Sequence, residues 1–328
     1  MAWLAPAPGD ASSFDCAKAR HPHEKIICAD KELSALDERI AQLYQSARHQ
    51  LSEEGRTILL DGQRQWIRFT RAVCSPKGKK REEVKKCLQR SFQERKKPLG
   101  KAALKKGPYL FSNVVVFEFH PVPFDKSGQQ EMWGYYPGYY PHIFSYPRID
   151  APLTPAAIAF NRAFTIPEHS NKSCDSKNGD LSLDYEVLGA SGAIISIFIE
   201  DWTYCHGAPH GFGGAYARNF ITHETGLRDL RDDDLFLLNT PWKEFVYKEC
   251  ADFLNSSEKG QNRSPFKPDE FKHHADNPLN WFPSRKGLLI LISAGTVGGY
   301  AEGPLNVTIP WDKLKLFLAP DVERLILE

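Results

Sequence analysis

Nowhere does the sequence hold an apolar run approaching the roughly 20 residues that a membrane-spanning helix requires, which excludes such a helix. None of its seven cysteines stands in a CxxC pair, so zinc ribbons and thioredoxin-like redox motifs are excluded as well. A nucleophile elbow is missing, because Gly189-Ala-Ser-Gly192 has the wrong spacing for one. There is no glycine-rich phosphate loop followed by Lys and Ser or Thr. Glycoside hydrolysis needs two carboxylates facing one cleft, and the pattern gives no sign of such a pair. The opening MAWLAPAPGD has neither a basic n-region nor an apolar core, so no signal peptide is expected in the chain as given. No internal repeat is visible. These absences predict a protein that binds rather than catalyses, without a cofactor.

What is present fits a globular protein. At 328 residues the chain suffices for two domains, or one large one with an appendage, and its 41% hydrophobic and 25% charged residues are ordinary proportions. Four cysteines crowd the first third, at Cys16, Cys28, Cys74 and Cys87, and read as a disulfide framework. Disulfides persist in oxidising compartments, so a periplasmic or secreted location is expected. Cys174 and Cys205 flank predicted strands and form a third candidate pair, which leaves Cys250 as a buried free thiol in a helix. The formal net charge of +1 is unevenly spread: residues 77–106 carry +10 and the remainder −9. The basic run has only Phe92 among its charges, so it reads as a solvated helix face and not as a nucleic-acid site. The acidic remainder would attract a cationic partner.

Periodicity divides the chain. After Asp30, a good N-cap, Leu33, Leu36, Ile40, Leu43, Ala47 and Leu51 recur at helical steps. Ser52 caps a second predicted helix, with Leu59, Gly62, Trp66, Phe69 or Thr70, and Val73 on one face. Val84, Leu88 and Phe92 suggest a third, broken by Pro98 and Gly100. If the first two helices form an antiparallel hairpin, Cys28 meets Cys74 and Cys16 is left to Cys87; four cysteines allow three pairings, and the sequence leaves them open. From about Pro108 the texture is that of strands: Asn113–His120, Leu181–Leu188, Ala193–Glu200, Ala215–Ile221, Leu288–Ser293 and Leu305–Ile309. Helices are expected at Ala156–Thr165, after Thr240-Pro241 (Phe245, Val246, Phe253 and Leu254 on one face) and at Trp311–Leu318. Strands mixed with a few helices, without βαβ alternation, predict an α+β fold: a disulfide-linked helical hairpin or three-helix domain, then a mixed sheet domain.

Two stretches resemble known families. Ser13-Phe-Asp-Cys-Ala-Lys-Ala19, Glu24-Lys-Ile-Ile-Cys28, Leu33-Ser-Ala-Leu-Asp37, Gln63-Arg-Gln-Trp66, Arg71-Ala-Val-Cys74, Cys87 and Arg95 together resemble an LprI-type lysozyme-inhibitor domain over about residues 13–100. Further on stand Ile143-Phe-Ser-Tyr-Pro-Arg-Ile149, Ile194–Ile199, Tyr204-Cys-His-Gly-Ala-Pro-His-Gly211, Asn219-Phe-Ile-Thr-His-Glu-Thr-Gly226, Leu230–Phe236 and Gly299-Tyr-Ala-Glu-Gly-Pro-Leu-Asn-Val-Thr-Ile309. These resemble the extracellular domain of RsiV-type anti-sigma factors, also found beside some peptidoglycan deacetylases, over about residues 142–319. Pro209 departs from that family's Gly-Ala-His. The resemblance implies an α+β module, which in RsiV-type proteins binds lysozyme. The expected division is a helical domain at 13–100, a linker with the first strands at 101–141, and an α+β domain at 142–328.

Candidate binding residues are the aromatics of the Gly/Pro-rich stretch, Trp133, Tyr135, Tyr136, Tyr139 and Tyr140, with Tyr204, His206 and His210. Such aromatics stack on sugars, anchor a protein partner, or pack as a loop over the sheet. His206 and His210, with His223 or Asp201, have the residue types of a zinc site. Gly207 and Pro209 between them indicate a loop, however, in which His210 bonds the backbone, and no metal is expected. His273 and His274 form a weaker pair, and Asp232-Asp-Asp234 reads as a solvated turn or helix cap. The expected function is a binder or inhibitor of a lysozyme-type peptidoglycan hydrolase, acting by steric occlusion. The alternatives are an immunity protein against a secreted wall-degrading toxin and a zinc-dependent glycan- or peptidoglycan-modifying hydrolase.

Overall fold

The computed structural model describes residues 12–121, 136, 138–164, 179–256, 265–294 and 303–326. The chain is α+β, a disulfide-bonded helical region followed by mixed sheet. Four helices come first: α1 (Pro22–Cys28), α2 (Lys31–Gln50), α3 (Glu53–Val73) and α4 (Arg81–Gly100). Both expected N-caps are in place. Asp30 Oδ1 accepts from Leu33 N at 3.0 Å, and Ser52 Oγ accepts from Gly55 N at 3.2 Å. Such caps satisfy amide donors that the first turn leaves unpaired. α4 continues through Pro98 because the amide that proline lacks falls in the last turn, where little of the helix remains to lose.

The expected α2–α3 hairpin, and the Cys28–Cys74 and Cys16–Cys87 pairing that followed from it, are corrected by the structure. α2 lies chiefly against α4, while α3 packs on the sheet. The short helix α1, too brief to show a period, turns Cys28 back onto Cys16, with Cα atoms 5.7 Å apart. The loop after α3 carries Cys74 to Cys87 in α4 at 5.5 Å. Both distances suit a disulfide, so each bridge closes a local loop.

A seven-stranded sheet follows in sequential order: β1 (Ala103–Lys106), β2 (Tyr109–Pro121), β3 (Tyr139–Ile149), β4 (Gly179–Ala190), β5 (Ile194–Cys205), β6 (Phe212–His223) and β7 (Gly226–Asp229). All neighbours are antiparallel except β3 and β4, which are joined through α5 (Pro155–Ala163). The β1–β2 turn needs Gly107. Its φ is +51°, and a Cβ there would lie 2.0 Å from the Ala190 carbonyl oxygen. The remaining elements are α6 (Asp232–Leu235), α7 (Trp242–Ser256), α8 (Lys272–Ala275), β8 (Trp281–Ser284), β9 (Gly287–Ile292), β10 (Leu305–Ile309) and α9 (Trp311–Leu314). β10, β9 and β8 form a second antiparallel sheet. The last helix is shorter than expected, and on α7 Phe253 is 48% exposed; Trp242, Val246, Cys250 and Leu254 are the buried face.

Alternation along the strands assigns the layers. Val187, Ile197 and Phe220 face α5, where Phe160 packs on Phe111 and Phe220. The opposite face is covered in two places. Over β2 and β3, Phe117, Phe119, Tyr139 and Ile143 meet the helices. Over β5 and β6, Phe198 and Ala217 meet Phe282 and Leu291 of the second sheet.

Candidate functional site

At one end of the seven-stranded sheet, polar rings gather. Glu118 is paired with His142 and His120 with Tyr140 in the β2–β3 register, so these four side chains share one face. The His120 and His142 rings are 4.9 Å apart, and His142 Nδ1 lies 3.9 Å from Glu118 Oε2. His142 is only 4% exposed. Its Nε2 is 3.2 Å from the Gly179 carbonyl, which only accepts, so Nε2 carries the proton. Burial, and then His120, push the pKa of His142 down, against weaker pulls from Gly179, Glu118 and Asp180. With Nε2–H on that carbonyl, the ring turns its other nitrogen, Nδ1, toward Glu118.

Next to this group, His206 Nε2 donates to Asp180 Oδ1 at 2.7 Å, and its ring meets Tyr140 edge-on at 4.4 Å. Tyr204 lies 5.4 Å from His206 and donates to the Ala208 carbonyl at 3.3 Å. Asp180 is 8% exposed, and its second oxygen has no hydrogen-bond partner among the described residues. Burial and Asp180 together raise the pKa values of Tyr140 and Tyr204. His210 stands apart: it is exposed, with Nδ1 2.9 Å from the Gly211 carbonyl, in the loop that Gly207 turns at φ +92°. Asp201 accepts from Gly214 N and His223 lies exposed at the end of β6, so neither joins His206 and His210 in a ligand set.

The tyrosines expected at a contact surface divide. Trp133 and Tyr135, like Cys174 of the expected Cys174–Cys205 pair, lie outside the described residues, and Cys205 is a half-buried free thiol among the described ones. Tyr136 is 2% exposed, edge-on to Phe69 at 5.0 Å with its hydroxyl on Glu94, so it belongs to the helix–sheet core. Tyr139 packs on Phe119 in the same layer, and Tyr140 is 6% exposed. An apolar ring with a satisfied hydroxyl is more stable in such a seam than in water, which is why Tyr136 turns inward. Asp234 forms a two-pronged pair with Arg228 and accepts from Arg231 N at 2.9 Å, a cap at the start of α6.

Two features escaped the sequence reading. Glu118-Phe-His120 had the i, i+2 signal of a shared strand face, but its partner His142 depends on register. The second is a strip on the helix-side face of β4 and β5, in the gap between the two coverings. There Ser182, Glu186 and Glu200 are exposed, Asp184 is half-buried, and Trp202 is 44% exposed. Trp202 lies flat because Gly211 and Gly213 leave room: a Cβ at Gly211 would come within 2.4 Å of its ring.

Three of the residues that carried the first family likeness, Gln63, Trp66 and Arg95, meet in a seam between α3 and α4. Arg95, 2% exposed, donates from Nε and Nη2 to Gln63 Oε1 at 3.2 and 3.1 Å, and lies 5.9 and 5.6 Å from the Trp66 and Phe117 rings. Burial without a carboxylate lowers the Arg95 pKa to about 9. Gln65 Oε1 accepts from Phe117 N at 3.0 Å, pairing an amide on the part of β2 that short β1 leaves as an open edge.

Residues 16–99 match the family model described as Lysozyme inhibitor LprI, and residues 233–312 match that of a protein of unknown function, DUF3298. A solved DUF3298 structure from Bacteroides fragilis is 14% identical, covering 67% of this chain and 98% of its own, with a TM-score of 0.44. One from Pseudomonas aeruginosa is also 14% identical, covering 68% and 99%, with a TM-score of 0.43. A search of curated proteins returned no match. The chain thus joins an LprI lysozyme-inhibitor domain at residues 16–99 to a DUF3298 domain at residues 233–312.

Proposed function

We propose that this protein is a periplasmic or secreted inhibitor that binds a lysozyme-type peptidoglycan hydrolase and blocks its cleft, catalysing nothing itself. The observation that carries the reading is the match of residues 16–99 to a lysozyme-inhibitor family. Two disulfides in that region suit an oxidising compartment. The RsiV-type likeness of residues 142–319 supports the same partner class. Within this reading residues 13–100 form one unit, 142–328 another, and 101–141 the linker and first strands between them.

The contact is placed on the strip beside α4. Residues 107–328 hold 28 acidic against 19 basic residues, which favours approach of a basic enzyme. On the strip itself, Glu200 stands two residues before the exposed Trp202 indole on β5, and Glu186 lies further along the same face of β4. Trp is the residue type that most often anchors a protein interface. Tyr204, farther along β5, extends the aromatic row, and the exposed His210 borders it.

The test is to mix the full chain with lysozymes of several classes, then measure complex formation and the clearing of wall suspensions. A one-to-one complex that suppresses lysis and weakens with salt is expected. Trp202→Ala should weaken it by about 30-fold or more, the range of an anchoring residue, and Glu200→Lys should act through a slower association rate. Absence of a complex with every enzyme tried would overturn the proposal.

A further inference from the structure

We propose that Glu118, His120 and His142 form a binding site for one divalent transition-metal ion, zinc in the first instance. Among the described residues these three offer ligand atoms that all lie within 4.8 Å of one another. Zinc held at about 2.1 Å by three tetrahedral donors places them roughly 3.4 Å apart. The His142–Glu118 separation of 3.9 Å is already near that. Closing the triangle takes about 1 Å of side-chain movement, and the geometry allows it where it is needed. Glu118 has a side chain 54% exposed and His120 is half-buried, so both can rotate, whereas His142 is fixed in the interior.

The fixed member is oriented as a ligand. Its Nε2–H is bound to the Gly179 carbonyl, which sets the tautomer and aims the Nδ1 lone pair at His120 and Glu118. A ring whose second nitrogen donates to a backbone carbonyl is the usual outer-shell arrangement of a metal-bound histidine. A hydrogen bond does not account for the group: at 3.9 Å the His142–Glu118 contact is too long for one. Two imidazoles and one carboxylate suit zinc and its neighbours in the first transition row better than calcium or magnesium, which prefer oxygen. Three protein donors leave a fourth position for water or for a group from a bound partner. The site does not depend on the lysozyme reading. His206 and His210 take no part in it, the first being held by Asp180 and the second by Gly211.

The experiment is calorimetric titration of the chelator-stripped full chain with zinc chloride, alongside His120→Ala, Glu118→Gln and His210→Ala, each checked for unchanged circular dichroism. Both substituted ligands lie outside the core, so folding should persist. One equivalent of zinc is expected, raising the thermal midpoint. Affinity should fall tenfold or more in His120→Ala and in Glu118→Gln, and stay unchanged in His210→Ala. Cobalt in place of zinc should give the visible absorption of a four-coordinate site, lost in His120→Ala. No stoichiometric binding, binding undiminished by both ligand substitutions, or loss of binding in His210→Ala would each overturn the assignment.

Discussion

The helical region and the part of the molecule around the second sheet solve the same problem in different ways. Helices α1 to α4 are held by two local disulfides, a buried arginine and contacts borrowed from β2 and β3. Around β8 to β10 the core is aromatic and apolar, with Phe236 stacked on Trp242 at 4.1 Å and Trp281 edge-on to both at 5.5 and 5.7 Å. Its one cysteine, Cys250, is fully buried, and burial pushes its thiol up to about 12. A short stretch of helix cannot bury enough apolar surface to offset its own ordering, so covalent closure and a neighbouring sheet make up the difference. The region around Trp242 and Trp281 has no such covalent closure, although it too shares its core with β5 and β6 through Ile194 and Ile221. The helical region is therefore not an independent bead: Ser52 caps α3 while itself donating to Asp150 at the end of β3, through its hydroxyl at 2.6 Å and its amide at 2.7 Å.

The comparison is broken most forcefully at Trp242. The side chain is 1% exposed and touches both Phe236 and Trp281. Trp242→Ala is expected to cost about 3–5 kcal/mol, the range for removing a large buried aromatic. Urea unfolding followed by circular dichroism measures this, and hydrogen exchange should show α7 and β8–β10 losing protection before α2 to α4. If the helices open first, the two regions do not differ as described.

A smaller loss is expected from the helical side. The Cys74–Cys87 bridge spans 13 residues, for which loop-closure entropy gives about 3 kcal/mol. Replacing both cysteines with alanine should lower stability by that amount or somewhat less, and exchange should quicken in α3 and α4. The Trp242 cluster should keep its near-ultraviolet dichroism at moderate temperature. A chain equally stable to a reducing agent would show that the sheet contacts alone hold the helices.

Much of this was legible in the sequence, and what was not has identifiable causes. Asp30 and Ser52 marked their helices because a cap is a local device, and Leu305–Ile309 was readable as a strand residue for residue. α1 was missed because seven residues show too little period, and that miss carried the disulfide pairing with it. The site was harder. His142 stands 22 residues beyond His120, and only the β2–β3 register, which no short-range pattern fixes, brings the two together. Tyr136 and Trp202 show the same limit from opposite sides. One aromatic looked available and is buried, whereas the other is 44% exposed, with no element among the described residues covering β4 and β5 at that point.

The boundary between the two regions can be probed at Asp184, with the smallest of the expected effects. Its carboxylate on β4 accepts from Lys101, just past the end of α4, and pairs with Lys97 of α4 at 2.6 Å. Burial pushes this carboxyl up, but Lys101 and Lys97 outweigh it and hold the group below the ordinary carboxylate range. Lys101 is pushed down by burial even beside Asp184, so part of the attraction only offsets lost hydration. Asp184→Asn, which keeps the shape and removes the charge, is accordingly expected to cost about 1–3 kcal/mol at neutral pH, less than a fully buried pair would lose. The sign with pH follows from linkage. A carboxyl whose folded pKa lies below its unfolded value contributes stability that is complete above the unfolded value and disappears as pH falls through the folded one. The difference between parent and variant should therefore be full at pH 7 and shrink on acidification below about pH 4. Urea midpoints at pH 7 and pH 3 measure it, and a gap that persists undiminished at pH 3 would assign the loss to altered packing of α4 on β4 rather than to charge.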